Sequence, residues 1–224
     1  MDLMIYSDDA LNIIKLGEMT QQQTMDYYKQ HIKDDTAQIK AIIGAYAAEL
    51  IVAADEADIK LDLSYDTIKN IPDALKALYQ KQYKLGLKDQ RNKELTCRSL
   101  AAYINLLIIN NFEDVSIDAR RYPNNKENEA RPDRWTGFLT LILDGQKKSD
   151  MLPYVWEGAN SDKEEVKDGF FIDIDPLAEG YKKLTGSKLT AEGLTDMTLT
   201  HEEEGPHLIL PDKEIKTEEP HLIL

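Results

Sequence analysis

Apolar residues recur along this chain at two spacings, and the change from one to the other falls near residue 113. Before it they recur every three or four positions, and after it largely every second position. The strongest helical signal is residues 95–112, LTCRSLAAYINLLIINNF. There Leu100, Tyr103, Ile104, Leu107 and Ile108 follow the i, i+3, i+4, i+7 rule, and Leu106 and Ile109 fill the opposite side. A helix apolar on nearly every side belongs in a core or in a membrane. Its unbroken apolar run, 106–109, is far shorter than the roughly 20 residues a bilayer needs. The segment is therefore expected to be a buried helix.

The same spacing predicts the elements before it. A short helix opens at Ser7 or Asp8 with Leu11, Ile14 and Leu16 inward, and a polar helix starting at Thr20 turns Met25, Tyr28 and Ile32 to the core. Asp34 or Asp35 caps a stronger helix, in which Ile39, Ile42, Ile43, Tyr46 and Leu50 form one stripe and the acidic residues 55–58 close it. Residues 59–64, IKLDLS, read as an extended or tight connector, and Ser64 caps a turn running through Ile68. Pro72 suits the first turn of a helix carrying Leu75, Leu78, Tyr79 and Gln82 inward. Gly86 ends that helix, and 87–94 is a charged link.

Beyond Phe112, Val115, Ile117 and Ala119 alternate with Ser116, Asp118 and Arg120, as in a strand with one wet face. Residues 135–143 read as a buried strand closed by the turn pair Asp144-Gly145. Residues 151–156 read as a further strand with Pro153 at an edge, and 169–175 as another with Phe170, Ile172 and Ile174 on one face. Asp175-Pro176 then opens a short helix with Leu177, Tyr181 and Leu184 inward, stopped by Gly186. The expected class is α+β: a helical N-terminal half, about residues 8–112, packed on a small, mainly antiparallel β-sheet from the C-terminal half. One domain would span 1–200, helical over 1–112 and β-rich over 113–200. Residues 201–224 form an acidic tail in which Pro-His-Leu-Ile-Leu occurs twice, at 206–210 and 220–224. A single period of 14 is too short for a solenoid unit, so two short strands of the same kind are expected.

Charge narrows the partners. The formal net charge is −14, which argues against a phosphate-backbone binder, so no nucleic acid is expected. The acidity is uneven: residues 151–224 carry 17 Asp and Glu against 7 Lys, a net of −10. Such an end either keeps the protein soluble or docks a basic partner. One cysteine, Cys97, lies inside the predicted core helix, which excludes an intramolecular disulfide and suits a reducing compartment. The N-terminus has no charged region followed by an apolar core and a cleavage site. A cytoplasmic location without a membrane partner is the expectation.

No Gly-rich phosphate loop, dinucleotide fingerprint or nucleophile elbow occurs, and no cofactor is expected. His201, His207 and His221 lie near Glu202, Glu203 and Glu204, but at no established ligand spacing. Asp173 and Asp175 would share a strand face as a cation pair, against which Asp175 is needed to cap the next helix. The most informative polar stretch is the loop 120–134, holding four of the six arginines beside Tyr122 and Trp135. Planar Arg, Tyr and Trp side chains are the composition of interface hot spots. Three readings stand: pairing with the protein's own carboxylates, a protein-partner site, or an anion or nucleic-acid site, the last opposed by the intervening Glu127, Glu129 and Asp133. Candidate partner-binding residues are Arg120, Arg121, Tyr122, Arg131, Arg134, Trp135, His207 and His221. The expected function is a non-enzymatic protein-interaction module, of the acidic immunity or accessory kind, that binds a basic protein. The alternative is a metal-dependent enzyme with a carboxylate/His site in the β-rich half. Self-association through the C-terminal strand is the third reading.

Two stretches, 59–78 and 99–119, together resemble a group of uncharacterised bacterial domains. In that group a Leu-Asp-x-Ser-x-x-Ser segment leads into a helix, then into a helix marked Gly-Ala-Tyr-x-Gly-Glu, then into a strand. Leu61-Asp62-Leu63-Ser64 fits the first motif, with Thr67 at the second Ser. Ala102-Tyr103 fits the second, while Ala101 replaces its Gly and Asn105-Leu106 replaces Gly-Glu. The resemblance implies an intracellular bacterial domain, helical then β, and brings no activity with it.

Overall fold

The computed structural model describes residues 19–121, 137–189 and 194–200. The chain is α+β, with a helical N-terminal half and small antiparallel sheets from the C-terminal half. Helix α1, Gln21–His31, opens with a capping box: Thr20 Oγ1 accepts from Gln23 N at 3.3 Å, and Gln23 Oε1 accepts from Thr20 N at 2.8 Å. Helix α2, Asp35–Glu56, is capped by Asp34, whose carboxylate accepts from Ala37 N at 2.7 Å. All positions from 41 to 50 are buried, because α2 packs against α1, α3, α4 and β1 together. Thr36–Glu56 is long and apolar enough to cross a membrane, yet 83% of its apolar window is buried inside the fold. Contact with the other helices accounts for that hydropathy.

After a 3₁₀ turn, Tyr65–Asn70, helix α3 runs Ile71–Lys84 with Pro72 in its first turn and Leu75, Leu78, Tyr79 and Gln82 buried, as their spacing requires. Helix α4 spans Asp89–Asn111, so it begins six residues before the predicted 95 and takes in most of the supposed charged link. The extra turns form because α3 offers partners to their polar residues: Asn92, fully buried, donates to the Tyr79 carbonyl at 2.9 Å. As predicted, residues 95–108 of α4 are buried throughout.

Strand β1, Val115–Arg121, pairs antiparallel with β2, Gly137–Leu143, from Val115↔Leu143 to Arg121↔Gly137. β2 returns to the short β3, Gln146–Lys147, through Asp144 (φ 49°) and Gly145 (φ 70°), two left-handed residues whose twist suits a two-residue hairpin. Residues 151–156 are not a strand. Helix α5, Leu152–Ala159, contains them, with Pro153 in its first turn. Leu152, Val155, Trp156 and Ala159 are spaced 0, 3, 4 and 7, and all meet the core. Strand β4 is Gly169–Ile172, shorter than predicted, and the following helix, α6, Ile174–Thr185, claims Ile174. Its cap is Asp173, not Asp175: the Asp173 carboxylate accepts from Asp175 N at 3.0 Å. Gly186 ends α6 at φ 75°. Strand β5, Met197–Thr200, pairs antiparallel with β4, so the described strands make two separate sheets where one was expected. Buried apolar residues from Met25 to Leu199 join in a single cluster.

Candidate functional site

The two motif stretches, 40 residues apart in sequence, meet in space. Leu63 holds a left-handed backbone (φ 59°), which costs a branched side chain about 1 kcal/mol or more, so something must hold it there. Three side chains of α4 do. The Tyr103 hydroxyl accepts from Leu63 N at 3.2 Å, and Asn111 and Asn110 donate to the Leu63 carbonyl at 2.9 and 3.3 Å. Asp62 turns its carboxylate onto the loop itself, accepting from Ser64 N at 3.1 Å, Ser64 Oγ at 2.5 Å and Thr67 Oγ1 at 3.0 Å. Lys60 Nζ lies 2.7 Å from its other oxygen. Lys60, then Ser64 and Thr67, hold the Asp62 carboxyl well below the usual carboxylate range. Tyr103 itself is pushed up by burial.

One residue on, the Tyr65 hydroxyl hydrogen-bonds the Tyr181 hydroxyl on α6, which ties the 3₁₀ turn to the C-terminal half. The Tyr181 ring meets Phe112 edge-on at 6.4 Å. Burial and then the Tyr65 hydroxyl raise the Tyr181 pKa strongly, so the Tyr181 phenol stays protonated. Tyr65 remains exposed, as does its sequence neighbour Asp66.

Below this loop a buried polar seam runs along α4. Asn92, Thr96, Ser99 and Tyr103 are spaced by four, three and four residues, hence on one helical face, and none is solvent-exposed. Thr96 Oγ1 lies 3.1 Å from Asn92 Oδ1 and 3.2 Å from Gln82 Oε1 of α3. On another side Arg98 donates to Glu94 at 2.9 Å and stands 6.0 Å above the Tyr46 ring of α2. Asn105, where the resembling group has Gly, accepts from Met151 N at 3.1 Å and so seats the start of α5. Glu49, buried on α2, has its pKa raised by that burial, against which Lys81 works from 3.5 Å. Burial pushes the Cys97 thiol up to about 12, which leaves it a packed apolar group and not a nucleophile.

Asp173 and Asp175 do not form an open cation pair. Lys163 Nζ lies between them, at 2.7 Å from Asp173 and 2.9 Å from Asp175. Burial opposes the charge on Asp173, but Lys163, the Asp175 amide and Ser161 outweigh it and hold the carboxyl below its ordinary range. Among the described residues no group of three His, Cys, Asp or Glu side chains is placed to hold a metal.

Of the candidate partner-binding residues, Arg120 and Arg121 sit at the end of β1, opposite Phe138 and Gly137. Tyr122, Arg131, Arg134, Trp135, His207 and His221, together with the short helix predicted to open at Ser7 or Asp8, lie outside the described residues. His31 is exposed on α1 and stacks on Tyr27 at 4.1 Å. The latch residues Tyr65, Asn110 and Tyr181 carry no local signal, since each acts through a distant partner. The seam is different: its spacing over 92–103 is visible in the sequence once α4 is known to begin at Asp89. Comparison with protein-family models, with curated proteins and with solved structures gives no match to this chain.

Proposed function

We propose that the chain is a non-enzymatic, cytoplasmic protein-interaction module, of the immunity or accessory kind, whose acidic surface receives a basic protein partner. The observation that carries this reading is how the carboxylates are divided. Asp62, exposed on its loop, and Asp173, buried at the start of α6, are both saturated by neighbouring donors and held ionised, which makes them poor proton donors near neutral pH. Other carboxylates face water, for example at Asp162, Glu164 and Glu165 before β4. A surface of one sign steers a partner of the other sign and weakens with salt. The meeting of Leu63 with Tyr103 also supports the resemblance to the bacterial helical-then-β domains, because both of its motifs serve one latch.

The test is capture of partners by the full chain from a native lysate at low and high salt, beside an E164K/E165K variant. A basic protein retained at low salt, released at high salt and lost with the charge reversal is expected. A partner set that ignores both changes would overturn the reading.

A further inference from the structure

The turn from α3 to α4 is a basic spot in an acidic chain. Residues 76–93 hold six Lys and Arg against one acid, Asp89, while the whole chain carries −14. Part of that charge is used internally: Lys81 lies 3.1 Å from Glu56, and Arg91 lies 3.4 Å from Glu94. Lys84 and Lys88 are exposed and take part in no ion pair among the described residues. Between them the helix end treats two leucines differently. Gly86 turns left-handed at φ 86°, the Leu87 amide donates to the Gln82 carbonyl at 3.0 Å, and Leu87 packs on the core, as in a Schellman cap. Leu85 is left 69% exposed, more than any other large apolar residue described.

An acidic counterpart lies at the same end of α4. Lys93, in the first turns of that helix, donates to the Asn160 side chain at 3.0 Å. The loop after Asn160 carries Asp162, Glu164 and Glu165, all exposed and in no ion pair among the described residues. Lys163 does not neutralise them, because Asp173 and Asp175 hold it. Lys88 precedes Lys93 by five residues, a rise of about 7.5 Å along a helix. Unpaired cations and unpaired carboxylates therefore share one end of the molecule without meeting each other. We infer that this end is a self-complementary surface for a second copy of the chain, a two-fold contact in which Lys84 and Lys88 of each copy meet Glu164 and Glu165 of the other beside Leu85. A surface that carries both signs fits itself when turned by 180°, so the contact closes at two copies. The net charge opposes self-association, but exposed charges more than about 8 Å apart are largely screened at physiological salt, and the local pairs decide. Such pairs are individually weak, so the dimer depends on concentration. This occupant is additional to the basic partner proposed above and does not rest on it.

Sedimentation velocity on the purified full chain, up to about 1 mM, tests this with no other protein present, so its failure leaves the reading above untouched. A monomer–dimer equilibrium is expected. K84E/K88E should weaken it by about tenfold or more. E164K/E165K should do the same although it moves the net charge from −14 to −10, where repulsion between whole molecules alone would give the reverse. The two variants mixed should form a heterodimer, since each supplies the charge that the other has lost. Leu85→Ser should weaken the dimer as well, and thermal unfolding of every variant checks that the fold is intact. A chain that stays monomeric throughout, a dimer indifferent to any of the three changes, growth beyond two copies, or a mixture that stays monomeric would each overturn the inference.

Discussion

The helical and C-terminal halves of this protein are stabilised in different ways. Helices α2, α3 and α4, of 22, 14 and 23 residues, bury long apolar faces against one another, and the polar seam between α3 and α4 is bridged where Thr96 Oγ1 meets Gln82 Oε1 and Asn92 meets the Tyr79 carbonyl. In the C-terminal half α5 has 8 residues and β4 and β5 have 4 each, too few to bury much area by themselves. There, single polar contacts fix where each element starts. Asn105 seats α5 and Asp173 caps α6, while Asp196 accepts from Ile174 N at 2.8 Å to bring the approach to β5 alongside. Long elements specify themselves through their faces, whereas short ones depend on individual hydrogen bonds supplied from elsewhere.

That contrast can be broken most directly in the core. Leu107→Ala, on the fully buried part of α4, is expected to lower stability by about 2–5 kcal/mol in denaturant unfolding, whereas Leu85→Ala, at a residue 69% exposed, should stay within about 0.5 kcal/mol. A loss under 1 kcal/mol at Leu107 would mean that α4 is not the centre of the fold. The join within the C-terminal half comes next. A Cβ at Gly158 of α5 would stand 2.4 Å from the Asp173 backbone carbonyl oxygen, which has no freedom to yield. Gly158→Ala should therefore cost about 1–3 kcal/mol by thermal unfolding.

The cap is a smaller effect with a pH signature. Asp173→Ala should cost about 1 kcal/mol near neutral pH, through loss of the α6 cap. Because the folded carboxyl titrates below its ordinary value, its contribution is complete above about pH 4 and disappears as pH falls through the lower folded value. The variant should accordingly show a flatter acid limb than the unmodified chain. A parallel loss at every pH would assign the effect to packing.

The clasp between the halves is the smallest. Tyr65→Phe and Tyr181→Phe should each cost about 0.5–1.5 kcal/mol and be non-additive in a double-mutant cycle. Tyr181 titrates above an ordinary phenol, so its contribution is present below about pH 10 and is lost as pH rises beyond that, when the unfolded chain ionises first. Tyr181→Phe should flatten that alkaline limb. Additive losses with an unchanged limb would show that the two halves are joined by the core alone.

Much of the helical half was legible because its evidence is repeated. The stripe Ile39, Ile42, Ile43, Tyr46, Leu50 states one direction five times, and no single contact is needed to read it. The N-terminal boundary of α4 was not legible, since Asn92 counts as a polar link residue until the Tyr79 carbonyl stands opposite it. Residues 151–156 satisfy alternation and helical spacing equally over six positions. The choice falls to partners outside the segment, Asn105 for the Met151 amide and the core for Val155 and Ala159. The latch was half legible: Leu61-Asp62-Leu63-Ser64 and Ala102-Tyr103 stood out as motifs, but nothing local said that they touch.

By itself the sequence determined the class of the fold, the faces of the long helices, the hairpin at Asp144-Gly145 and the burial of Cys97, because periodicity, turn chemistry and apolar transfer are local or additive. Tertiary structure decided the starts of α4 and α6, the helical state of α5, the separation into two sheets, and the left-handed Leu63 held by Tyr103, Asn110 and Asn111. Each of these depends on a hydrogen bond or a close approach between residues far apart in the chain. Such contacts exist only after the long helices have packed, and a polar group has no way to announce its partner in advance.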